Sequence, residues 1–110
     1  MSEAVGRQTI REMRGAILRF AGSVIGEAPD TVTLNGLRYV VLGPGKRFDA
    51  TTENQFALAL AYLVDPKVQL IDVVRTPRDA LDEDPIITYR LTAAGMRVLN
   101  GEATDVGIEL

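Results

Sequence analysis

The chain contains no cysteine and no histidine. Without cysteine there are no structural disulfides, no thiolate zinc sites and no thiol nucleophile. Without histidine the commonest general base and the commonest metal ligand are both missing. These two absences disfavour most enzyme mechanisms, so neither catalysis nor a cofactor is expected. Long apolar runs are lacking as well. The longest, Phe56 to Val64, is nine residues, where a membrane span needs about 20. Met1 to Arg14 is polar and charged, unlike a secretory signal. The expectation is a soluble, cytoplasmic protein with no membrane partner.

What is present fits one globular domain. The 110 residues are 46% apolar and 25% charged, close to ordinary usage. That length buries a core without help from a metal or a disulfide. The domain is expected over residues 1–101, with 102–110 as a C-terminal tail. A net charge of −3 hides an asymmetry. Residues 1–78 carry ten Lys/Arg against eight Asp/Glu, and residues 79–110 carry two against seven. A phosphate-binding face would have to come from the first part. The cluster Asp79, Asp82, Glu83, Asp84 and the tail acids Glu102, Asp105 and Glu109 would have to point away from it.

The first helix is legible from spacing. Ile10, Met13, Ile17, Phe20, Ala21 and Val24 step by three and four residues and so share one helical face. Gly15 and Gly22 weaken this helix by roughly 1 kcal/mol each relative to alanine, which suits close packing. Pro29 closes the segment. Residues 31–42 carry two conflicting signals. Asn35-Gly36 between β-rich runs is a hairpin signal and is the stronger local one. The competing reading makes Thr33 an N-cap and Leu34, Leu37 and Val41 a helical stripe. Gly43 to Arg47 reads as a loop. Thr52-Glu53-Asn54-Gln55 matches the capping-box pattern and opens a helix with Phe56, Leu60 and Leu63 on one face. Pro66 ends it.

The last third is the most informative stretch. Apolar segments Val68 to Val74 and Ile86 to Leu91 flank the charged loop Arg75 to Pro85, which reads as a β-hairpin. Thr92 caps a following helix, Ala93 to Asn100, and Gly101 suits the left-handed residue that ends it. The tail shows no clear pattern and is either frayed or a packing extension.

Leu60-Ala61-Tyr62-Leu63-Val64-Asp65, the strand after it, and Tyr89-Arg90-Leu91-Thr92-Ala93-Ala94-Gly95 resemble the pattern of small winged helix-turn-helix proteins. That group includes PadR-like regulators and small winged-helix proteins of Mu-like phages. The likeness covers roughly residues 51–100 well and 10–50 only in outline. It implies an α+β domain with three main helices, a small antiparallel sheet and a short C-terminal helix. The wing hairpin would span about 68–91, Thr52 to Val64 would be the recognition helix, and Leu34 to Leu42 the helix before it. The linking segment Gly43 to Ala50 is longer than a tight helix-turn-helix turn.

The function this resemblance implies is DNA binding in transcriptional control, as a homodimer on double-stranded DNA. The candidate contacts are Lys46, Arg47, Thr52, Asn54, Gln55, Arg75 and Arg78. Asn54 and Gln55 suit adenine edges, although Thr52 and Gln55 equally suit mere capping. Lys46 and Arg47 precede a helix N-terminus, where anions are favoured. They do not form a Walker A loop, because Val40 and Arg47 stand where glycine and Ser/Thr are required. Arg75 and Arg78 offer a basic wing tip, against the acids that follow at once. Those acids match no calcium loop. Arg7, Arg11 and Arg14 either track phosphates or form a solvated helix face. The alternative function is a protein-interaction module on the same scaffold, using Leu58 and Tyr62. The uncharged second helix and the acidic wing and tail support it.

Overall fold

The computed structural model describes residues 3–43, 50–76 and 86–110. Their elements run α1 (Glu3–Ser23), β1 (Val32–Thr33), α2 (Leu34–Leu42), α3 (Ala50–Val64), β2 (Ile71–Thr76), β3 (Ile86–Leu91) and α4 (Ala93–Leu99). The three strands form one antiparallel sheet in the order β1-β3-β2. The fold is α+β, with three main helices, a small sheet and a short C-terminal helix.

The apolar stripe of α1 becomes the centre of the core. Ile17, Leu18 and Ala21 are fully buried, and the helix packs on α2, α3, α4 and β3. Leu18 lies beside the stripe that spacing alone identifies, because α1 is covered from more than one side.

Residues 34–42 are a helix, not the second strand of a local hairpin. Thr33 is its N-cap, and its hydroxyl accepts the Gly36 N–H at 3.0 Å. Gly36 therefore supplies a cap donor where a turn was expected. Two long-range contacts outweigh the Asn-Gly signal. Val32 and Thr33 pair with Tyr89 and Thr88 of β3 instead of with residues 37–41. Leu37 is fully buried, in a helix that packs on α1.

The α3 helix begins at Ala50, so Thr52 is its third residue and not its cap. The expected capping box at Thr52 to Gln55 is thus not the start of the helix. Its buried face is Phe56, Ala59, Leu60 and Leu63, which contains the expected stripe. After Val64 the chain turns tightly. The Val68 and Gln69 N–H groups donate to the Asp65 carbonyl at 2.9 and 2.8 Å, and Leu70 N–H donates to the Leu63 carbonyl at 3.0 Å. Gln69 adopts a left-handed φ of 47°. These bonds consume Val68 to Leu70, so the strand starts at Ile71 and runs to Thr76 instead of covering 68–74.

In the hairpin, Ile71 faces Leu91, Val73 faces Tyr89 and Arg75 faces Ile87. Alternation puts these six on one face, toward the helices. Asp72, Val74 and Thr76 take the other face with Arg90, Thr88 and Ile86.

Thr92 caps α4 as its position suggests. Its hydroxyl accepts the Gly95 N–H at 3.0 Å and donates to the Gln69 carbonyl at 2.7 Å. A side chain at Gly95 would collide with the Leu70 carbonyl, so glycine lets α4 abut the turn before β2. Gly101 has φ 76°. Its N–H and that of Glu102 donate back to Val98 and Arg97 at 3.2 and 2.8 Å, the paired bonds of a Schellman motif.

The tail is a packing extension. Ile108 is buried in the core, and Glu109 N–H donates to the Arg11 carbonyl at 3.1 Å. A Cβ at Gly15 would overlap the Glu109 carbonyl, so the tail crosses α1 at a glycine.

Candidate binding face between α3 and the hairpin

The expected site residues divide into three groups. Lys46, Arg47 and Arg78 lie outside the described residues, as do Asp79, Asp82, Glu83 and Asp84. Thr52 and Gln55 are half-buried on α3, while Asn54 is exposed there. Arg75 is exposed on the inward face of β2. Thus Arg75 and Asn54 stand on neighbouring elements.

The solvent side of α3 follows from its buried side. With Phe56, Ala59, Leu60 and Leu63 turned inward, positions 50, 51, 54, 57, 58 and 61, with 65 just past the helix, form the outward stripe. That stripe reads Ala50, Thr51, Asn54, Ala57, Leu58, Ala61 and Asp65, all exposed. Leu58 is 49% exposed. No lysine or arginine occurs anywhere in the helix.

Beside α3 lies an open groove of about 420 Å³. Glu53, Phe56, Ala57, Leu60, Ala61 and Val64 of α3 form one wall. Val73, Arg75, Ile87 and Tyr89 of the hairpin form the other, and Leu34 and Arg38 of α2 close it. The groove exists because the outer part of the hairpin's inward face is left uncovered, although β3 is also held by β1 at Tyr89 and Thr88. Ile71 and Leu91 are buried, whereas Val73 and Ile87, on the same face farther out, are 39% and 40% exposed. Its polar groups are few. Arg38 is bonded to Glu53, which links α2 to α3. Arg75 makes no ion pair among the described residues.

Tyr62 is engaged within the chain. Its hydroxyl donates to Asp105 at 2.6 Å, and the Arg14 guanidinium lies 3.8 Å from its ring centroid. Arg14 also donates to the Gly107 carbonyl at 2.9 Å, and Asp105 accepts the Gly107 N–H at 2.7 Å. Arg11 pairs with Glu109 at 3.5 Å. Arg11 and Arg14 therefore hold the tail against α1 and are not a solvated or phosphate-tracking face. The hydrogen bond to Asp105, then burial, raises the Tyr62 pKa above its ordinary value. Burial lowers that of Arg14.

Apart from Arg75, sequence reasoning missed the hairpin half of the groove. The signal was the strand period. Val73 and Arg75 alternate with Asp72 and Val74, and Ile87 and Tyr89 alternate with Thr88 and Arg90, so each pair marks an inward face. Nothing in the sequence said that this face would stay uncovered. Among the described residues no group of three acidic side chains could hold a metal, and no helix is long and apolar enough to cross a membrane. No family model, no curated protein and no solved structure matches this chain.

Proposed function

We propose that this chain is a protein-interaction module on a winged-helix scaffold, with the α3–hairpin face as its working surface. The element order, with a helix pair followed by a hairpin and a sheet ordered β1-β3-β2, supports that scaffold. The observation that carries the interaction reading is the chemistry of the face. Its outward stripe along α3 is apolar apart from Thr51, Asn54 and Asp65 and carries no cation. The adjoining groove is walled mainly by aliphatic and aromatic side chains. Surfaces that dock proteins have an apolar centre depleted in charge. Surfaces that bind DNA neutralise phosphates with several Lys/Arg. On the described face Arg75 is unpaired and Arg38 is held by Glu53.

A second reading is DNA binding in transcriptional control, as a homodimer using the same face. The exposure of Arg75 and Asn54 on contacting elements favours it, and so does the motif likeness to PadR-like regulators and Mu-like phage proteins. Fluorescence anisotropy with random-sequence duplex DNA separates the two. The interaction reading expects no binding tighter than about 10⁻⁴ M at about 50 mM salt. Affinity of 10⁻⁴–10⁻⁶ M that weakens steeply toward about 200 mM salt, and falls in Arg75→Ala, would establish DNA binding in its place.

A further inference from the structure

Resting on the interaction reading, we infer that the groove between α3 and the hairpin takes an acidic amphipathic helix of a partner protein, its apolar stripe on α3 and a carboxylate on Arg75.

Shape is the first ground. The α3 wall extends from Glu53 to Val64, about 16 Å or three helical turns. Ala57 and Ala61 lie one turn apart on that wall and are exposed. Small side chains at this spacing leave room for a second helix to approach closely, at the 8–10 Å or so typical of packed helices. Phe56, Leu60 and Val64 sit deeper beside them, so anchors at i, i+3, i+4 and i+7 of a guest meet apolar surface along its length.

Charge is the second ground. Arg75 stands on the hairpin wall with Val73 two residues before it and Ile87 directly across the ladder. It thus projects among apolar neighbours, and no described carboxylate pairs with it. The other wall offers no competing cation, since α3 has none. Arg38, at the α2 end, already bonds Glu53. A guest carboxylate meeting Arg75 forms a charge-assisted hydrogen bond in a partly desolvated groove. A guest cation there meets like charge, which excludes basic partners.

The test selects from a phage-displayed library of random peptides of about 16 residues on the immobilised full chain, and in parallel on Arg75→Glu. Fluorescein-labelled copies of recovered peptides are then titrated with each variant. The expected peptides carry apolar residues at helical spacing and net negative charge. They weaken about tenfold or more on Arg75→Glu, which in turn recovers basic peptides. They also weaken on Ala57→Trp, an exposed position where a large side chain fills the groove without touching the core. Peptides that depend on Ala57 but bind Arg75→Glu equally well, or that show alternating strand-like anchors, would overturn this inference and leave the interaction reading standing. Recovery of no groove-dependent peptide would overturn both.

Discussion

Tyr62 has the helical position of an interface aromatic, and its actual use is internal. The hydroxyl donates to Asp105 and the ring lies under Arg14, so one side chain ties α3 to the tail and to α1. A phenol that donates to a carboxylate in a partly buried site holds its proton beyond its ordinary pKa of about 10. The unfolded chain loses that proton first. Stability from this group is therefore complete below about pH 10 and is lost as pH rises through the folded value. Replacing Tyr62 by Phe should cost about 1 kcal/mol near neutrality. It should also flatten the loss of stability as pH rises above about 10. Urea midpoints of both proteins across that range check this; equal slopes would show that Tyr62 does not titrate differently on folding.

Helix ends show how far local chemistry reaches at the scale of elements. Thr92 was legible as a cap because its hydroxyl needs only the N–H three residues on. It also donates to the Gln69 carbonyl, a bond across the fold that no local rule contains. Thr92→Ala removes both bonds and should lower stability by about 1–2 kcal/mol, read as a lower urea midpoint by circular dichroism. An unchanged midpoint would mean that α4 is held by packing alone. Thr33 was legible only as one of two readings. Its capping of Gly36 and the Asn-Gly hairpin use the same residues, and the choice depends on β3, more than 50 positions away. Thr52 misled for the opposite reason: its spacing to Gln55 is right for a cap, but α3 continues two residues beyond it.

On the scale of the whole molecule, the tail belongs to the core. Ile108 is buried, Glu109 crosses α1 at Gly15, and Asp105 and Gly107 hold Tyr62 and Arg14. A chain ending at Thr104 should lose on the order of 2–3 kcal/mol from Ile108 alone. Urea denaturation measures this directly, and no change would make the tail a passive rider. Its acids Glu102, Asp105 and Glu109 step by three and four residues, a helical spacing that the folded tail does not adopt, so spacing did not announce the docking. The tail also accounts for Arg11 and Arg14 of α1, which have the spacing of a phosphate-tracking row but answer to the Glu109 carboxylate and the Gly107 carbonyl.

The sequence by itself determined the helical stripes of α1 and α3, the return strand Ile86 to Leu91, and the capped α4 with its Gly101 stop. Each rests on a period or a capping bond that closes within a few residues. Only the tertiary structure decided the rest. It made residues 34–42 a helix, because Val32 and Thr33 found their ladder in β3. It delayed β2 to Ile71, because the turn at Gln69 consumed three residues. It left Val73, Arg75 and Ile87 facing Ala57 and Ala61 across an open groove, because full burial on that face of the hairpin stops at Ile71 and Leu91. Which apolar face stays uncovered depends on what packs where, and that is a property of the assembled chain and not of any segment in it.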